Sequence, residues 1–247
     1  MADKFKDLDY SKRLEIRSEI DNIAAKDLGN YKTSNDRLRL DEFAERFKGK
    51  KFDKLLLIAG GGLESLRLIS LFGEDAKQIY IVDRDPNSLY RFRVLVKIME
   101  ERPEERKEDF EYYLKKTKAN EKQGNFYLEI LDQMHINEEI ESKIIYKESE
   151  LSYAVNSIIS QSEAPKSEKY FFYFSNIIGS GWSLGGESET EFIQKIMHNV
   201  GVESAIMFIN NNNDASFHTL EKQENNKAID TKFFDSSKKP ESLAIKI

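Results

Sequence analysis

The stretch from Lys54 to Arg93, KLLLIAGGGLESLRLISLFGEDAKQIYIVDRDPNSLYRFR, limits the folds open to this chain more than any other. It begins with an unbroken apolar run, Leu55 to Ile58, whose length suits a strand buried on both faces of a parallel sheet. Gly60, Gly61 and Gly62 follow, allowing a tight turn and a close approach of backbone to a ligand. Leu63 to Phe72 has the apolar density of a helix packed on a sheet. A second apolar strand, Ile79 to Val82, ends at Asp83, 23 residues after Gly60. That interval is close to the roughly 20 residues that bring an acid beside the ribose of a nucleotide held at the first helix. The segment reads as a nucleoside-binding βαβ unit.

A chain of 247 residues fits one large α/β domain or such a domain with a helical appendage. Its net charge of −6 argues against sequence-independent binding to nucleic acid, which draws on a basic surface. Cys is absent, so disulfides, a thiolate nucleophile and cysteine metal sites are excluded, and no metal site is expected. The amino-terminal residues have no apolar core of signal-peptide length, and no run approaches 18 apolar residues. A cytoplasmic protein without a membrane span is expected.

Ahead of the first strand, Leu14, Ile16, Ile20 and Ile23 recur at helical spacing, predicting a helix from Tyr10 to about Leu28. A second helix is predicted over Asp36 to Phe47. Residues 1–49 would form a helical cap, packed on the sheet edge or closing over the ligand, and 50–247 the main domain. After Asp83, Asp85 and Pro86 open a helix that Pro103 ends. The charged segment 104–142 is too long for an ordinary connection and reads as a helical insertion, either a solvated helical pair or a substrate-selecting cap. Beyond it come a strand at Lys143 to Tyr146, a helix at Leu151 to Ile159, the aromatic strand Tyr170 to Phe174, and a glycine-rich loop around Trp182. A helix from Glu187 to His198, a strand from Val202 to Ile209, and a short helix near Phe217 to Lys222 follow. Ala228 to Phe234 and Leu243 to Ile247 would close the fold as a hairpin. The predicted class is therefore α/β: a doubly wound, mostly parallel, seven-stranded sheet with a C-terminal antiparallel hairpin, N-terminal helices and a helical insertion.

Ligands of such sheets bind at the carboxyl ends of the central strands, where the strand order reverses. That rim collects Gly60, Gly61, Gly62, Asp83 with the adjacent Arg84, Ser149, Ser175, Asn176 and the Asn210 to Asp214 turn. A dinucleotide fingerprint would need a third glycine at position 65, which is Ser, so an NAD site is the weaker reading. With its apparent closing hairpin and its LLLIAGGG and IYIVDRDP segments, the chain resembles the class I S-adenosylmethionine-dependent methyltransferases over about residues 50–247.

The resemblance implies S-adenosylmethionine as cofactor, the glycine turn behind its methionine part and Asp83 on its ribose. Ser149 would lie by the adenine, and Ser175 and Asn176 would face the reacting centre. Two departures mark this chain: Leu57 and Ile58 stand where the family has an acid before the first glycine, and Glu64 stands at its third glycine. Glu64 either pairs with the ammonium of the methionine moiety or complements the helix dipole. Asn176, Tyr173, His218 and Asp214 are the candidate bases or orienters, although Tyr173 lies within a strand and His218 is expected on an exposed helix. A small-molecule or protein acceptor is expected. The departures also resemble enzymes that transfer the 3-amino-3-carboxypropyl group of the same cofactor, and a non-catalytic binding or effector module remains a further alternative.

Overall fold

The computed structural model describes residues 2–26, 47, 49–117, 127–129, 131–174, 187–201, 203–209, 215–220 and 229–234. Strand β1, Lys54–Ile58, is buried along its whole length, as a strand covered on both faces must be. A 3-10 turn over Ala59–Gly61 leads into helix α2, Leu63–Phe72, and then strand β2, Gln78–Asp83. The two strands pair in parallel with Leu55 opposite Ile79 and Ile58 opposite Val82.

Helix α3, Pro86–Met99, follows, and Pro103 opens helix α4, Pro103–Thr117. A short helix α5, Glu138–Ser142, precedes strand β3, Ile144–Glu148, which runs parallel to β2 and sets Glu148 opposite Asp83. Helix α6, Leu151–Ser160, then returns the chain to strand β4, Tyr170–Phe174, on the other side of β1. Helix α7, Glu189–Asn199, starts at a capping box in which Ser188 and Glu191 bond reciprocally, and strand β5, Ala205–Ile209, pairs in parallel with β4.

The sheet order is β3, β2, β1, β4, β5, followed by β6, Ala215–Leu220, and β7, Ile229–Phe234. Progression from β1 outward to β3 and back to β4 places the reversal of strand order between β1 and β4.

The end of the chain departs from the predicted arrangement. Residues near Phe217 form β6, antiparallel to β5 with Ile206 opposite His218, where a short helix was expected. A hairpin joins β6 to β7, with His218 opposite Thr231. Residues 243–247 lie outside the described residues. Pairing with β5 supplies long-range hydrogen bonds that local pattern does not reveal, and it decides the conformation of ASFHTL.

Helix α1 spans Ala2–Ala25 and buries Ile16, Ile20 and Ile23 on one stripe. It lies against α3 and α4 through ion pairs, with Lys97 to Glu15 at 2.9 Å and Glu19 at 3.0 Å, and Arg17 to Asp109 at 2.7 Å. The predicted helix over 36–47 falls outside the described residues apart from Phe47.

The insertion is not a solvated pair. Phe110, Tyr113, Tyr127, Leu131, Met134 and Ile136 are all buried in the same core as the sheet. Below the amino ends of the strands, Phe47, Phe52, Phe72 and Phe171 form a ring cluster, with Phe52 in contact with Phe72 and Phe171 at centroid distances of 5.2 Å. Among the described residues no helix is long and apolar enough to cross a membrane.

Candidate functional site

The rim at the carboxyl ends of β1 and β2 is built by a few backbone ties. Gly62 has φ +40 and ψ −98, outside the range that side-chain-bearing residues adopt readily, and this lets the turn reverse into α2. Its N–H donates to Ala59 O at 2.9 Å, while Leu66 N–H donates to Gly62 O at 3.1 Å. Ser65, fully buried, donates its hydroxyl to Ile58 O at 2.7 Å, binding the helix to the end of β1. The serine that weakens a dinucleotide fingerprint is thus a hydrogen-bonded brace of the turn.

Asp83, at the tip of β2, faces this turn. Its Oδ2 accepts the Gly60 N–H at 2.9 Å and its Oδ1 accepts the Asp85 N–H at 3.0 Å. The backbone carbonyl of Asp83 accepts the Ser149 N–H at 3.0 Å, which draws the loop after β3 to the same rim. Burial pushes the Asp83 carboxyl above its ordinary value of 3.8, against the two N–H donors, which favour the charged form.

Each carboxylate oxygen has two lone pairs, and each uses one on a backbone N–H. Asp83 is half-buried, so it can still accept from outside. Asp85 caps α3 through Asn87 N–H at 3.0 Å. Burial works against its charge, but the donors Asn87 and Ser88 outweigh it and hold Asp85 below the ordinary range.

Gly60, Asp83 and Ser149 therefore meet at one rim, with Arg84 exposed beside them. Glu64 is buried, 1% exposed, and its Oε1 accepts the hydroxyl of Tyr127, from the insertion. Tyr173 is fully buried in β4, so its ring belongs to the core and not to the rim. His218 lies on β6 and not on an exposed helix. Ser175, Asn176, the loop around Trp182 and the Asn210 to Asp214 turn lie outside the described residues.

Pattern reading missed Ser65, Ser88, Arg91 and Tyr127. Ser88 and Arg91 carry the i, i+3 spacing of a helix face, a signal present in the sequence but masked by the apolar stripe around it.

No protein-family profile matches the chain, and no curated protein matches it. Among solved structures, an rRNA methyltransferase from Streptomyces viridochromogenes is similar at 12% identity over 81% of this chain and 84% of that one, with a TM-score of 0.35. A likeness at that level leaves the functional reading to rest on the geometry of the rim.

Proposed function

We propose that this chain is an S-adenosylmethionine-dependent transferase of the cytoplasm, moving a methyl group to a small-molecule or protein acceptor. The observation that carries the proposal is Asp83 at the tip of β2, held by Gly60 N–H and Asp85 N–H next to the strand-order reversal.

The residues present fit the adenosine end of that cofactor. Two anchored oxygens, each with a lone pair to spare, match the two vicinal hydroxyls of a ribose. The glycine turn leaves no side chain between β1 and the ligand, and the backbone of Ser149 closes the third side. When bound, the cofactor supplies a sulfonium carbon open to a nucleophile. The chain's own part is then to hold the sugar, orient the acceptor and keep water away. Asn176, Ser175 and His218 are the residues proposed to face the acceptor, and Arg84 the exposed cation at the mouth.

Calorimetry and thermal unfolding with S-adenosylhomocysteine test this directly. At 100 times its dissociation constant the ligand adds about 2.7 kcal/mol of stability. Asp83→Asn cuts that gain to about 1.4 kcal/mol or less while the fold persists. Stabilisation by NAD with none by S-adenosylhomocysteine overturns the proposal. With an acceptor in hand, S-adenosylhomocysteine as product marks methyl transfer, and methylthioadenosine would replace methyl by aminocarboxypropyl transfer.

A further inference from the structure

Behind the rim runs a line of polar groups that sugar binding by Asp83 does not by itself require. Ser88, in the first turn of α3, donates its hydroxyl to Asp85 Oδ2 at 3.0 Å and accepts from Arg91 Nη2 at 2.9 Å. Asp85 in turn donates its backbone N–H to Asp83 Oδ1 at 3.0 Å. Ser88 and Arg91 are each 5% exposed. Burying a guanidinium carries a desolvation cost of several kcal/mol, and an apolar side chain in the stripe of Phe92 and Leu95 would avoid it.

We infer that Arg91 and Ser88 are positioning residues for the nucleoside site: through Asp85 they fix the orientation and the negative charge of the Asp83 carboxylate, so that it accepts the vicinal hydroxyls of an adenosine ribose. The inference rests on the reading of Asp83 as the ribose acceptor.

Two physical requirements are met by this line. The first is orientation: Asp85 Oδ1 is held by Asn87 N–H and Oδ2 by Ser88, so the loop that donates to Asp83 cannot swing away. The second is charge. Burial and the neighbouring Asp85 carboxylate push Asp83 toward its neutral form, whereas the N–H groups of Asp85 and Gly60 and the positive charge of Arg91 favour the anion. A protonated Asp83 would lose an acceptor site.

Among the described residues, Glu148, its register partner on β3, and Arg84, the next residue, are further charged groups near Asp83. Tyr113 of α4 faces Arg91, and burial raises its hydroxyl to about 12, so it is neutral throughout. The turn from Ala59 to Gly62 brings no charge.

Carboxyl-carbon NMR of the full chain reads Asp83 without any ligand, its signal assigned by Asp83→Asn. In Ser88→Ala and Arg91→Gln the Asp83 titration midpoint moves to higher pH than in wild type, and Arg91→Lys, which keeps the charge, moves it less. Calorimetry with S-adenosylhomocysteine at pH values on both sides of the measured wild-type midpoint then shows about a twofold to fivefold loss of affinity at that midpoint, for a midpoint higher by about half to one pH unit. The variants converge on wild type at the alkaline end. Urea midpoints establish which variants are folded, and Ser88→Ala with Arg91→Lys keeps the test complete if Arg91→Gln is not. An unchanged Asp83 midpoint overturns the inference, as does an affinity loss equal at every pH, which marks packing alone. Failure of the wild type to bind S-adenosylhomocysteine overturns the ribose role itself, and is distinguished because the midpoint is read in the free protein.

Discussion

Replacing Glu101 by Gln should make the protein more stable at pH 8 and change its stability little at pH 5. Glu101 follows α3 and is 8% exposed, and its Oε2 is buried without a hydrogen-bond donor among the described residues. Its neighbour Asp109 is fully buried and accepts from Arg17 Nε at 2.7 Å and Arg13 Nη2 at 3.3 Å. Burial, followed by the charge of Asp109, pushes Glu101 up to about 8 from its ordinary 4.5, and Arg13 only partly offsets this. The folded chain therefore keeps a proton that the unfolded chain releases between those two values. The associated stability is complete below pH 4.5 and is lost as pH rises toward 8.

At about 1.36 kcal/mol per pH unit the loss is at most about 5 kcal/mol, and about 2–5 kcal/mol is expected. That is a large fraction of the roughly 5–15 kcal/mol that holds an ordinary domain together. Gln is neutral at every pH and can donate to Asp109 as the protonated acid does. Carboxyls held low, such as Asp85 and Glu168, act on the acid side of pH 4.5 and do not enter this window. Urea unfolding at pH 5, 6, 7 and 8 and constant ionic strength gives the two curves. Parallel curves for wild type and Glu101→Gln, or a variant weaker than wild type at pH 8, would refute the reasoning.

Three further outcomes are expected. Asp83→Asn keeps the shape of the side chain but faces one of its two backbone N–H donors with an amide NH2, costing about 1–3 kcal/mol in urea unfolding, and it should weaken S-adenosylhomocysteine at least tenfold by calorimetry. Gly62→Ala meets no atom closer than Leu95 Cδ1 at 4.0 Å, so its loss of about 1–3 kcal/mol measures backbone strain at φ +40 and not a clash. Ser65→Ala removes a buried donor from Ile58 O and should lower the urea stability by about 1–2 kcal/mol, with no effect on the pH dependence of ligand binding.

The parallel half of the sheet is legible because its strands are apolar runs of strand length bounded by glycine, acid or polar turns. Asp83 is legible because strand, turn and helix have nearly fixed lengths, so a count of residues becomes a distance. The hydrogen bond from Gly60 to Asp83 across 23 residues is the outcome of that count. Where partners are brought together by packing instead of spacing, pattern reading fails. Tyr127 and Glu64 are 63 residues apart, and nothing local in either segment announces the other. The residues near Phe217 adopt strand geometry because β5 offers an unpaired edge, a fact about neighbours and not about ASFHTL. Arg91 is hidden for another reason: a buried cation on an apolar stripe resembles a surface residue until burial is known.

The two ends of the strands divide the work of stability and of recognition. At the amino ends, Phe47, Phe52, Phe72 and Phe171 pack ring on ring, with centroids 5.2 to 6.4 Å apart. Such contacts are non-directional and tolerate small shifts. At the carboxyl ends of β1 and β2 the ties are directional: Ser65 to Ile58 O, Gly60 to Asp83, Asp85 to Asp83, Ser88 to Asp85. Each fixes an angle as well as a distance, which a ribose acceptor needs and a core does not. Among the buried charged residues, Arg91 lies in α3 and Glu64 and Arg67 in α2, the two helices that follow the rim strands, whereas Arg106 and Asp109 lie in α4 and Lys54 opens β1. Strand β4, by contrast, is aromatic throughout. The directional ties are therefore gathered where a carboxylate must be aimed, and the ring cluster at the opposite end contributes stability that needs no fixed angle.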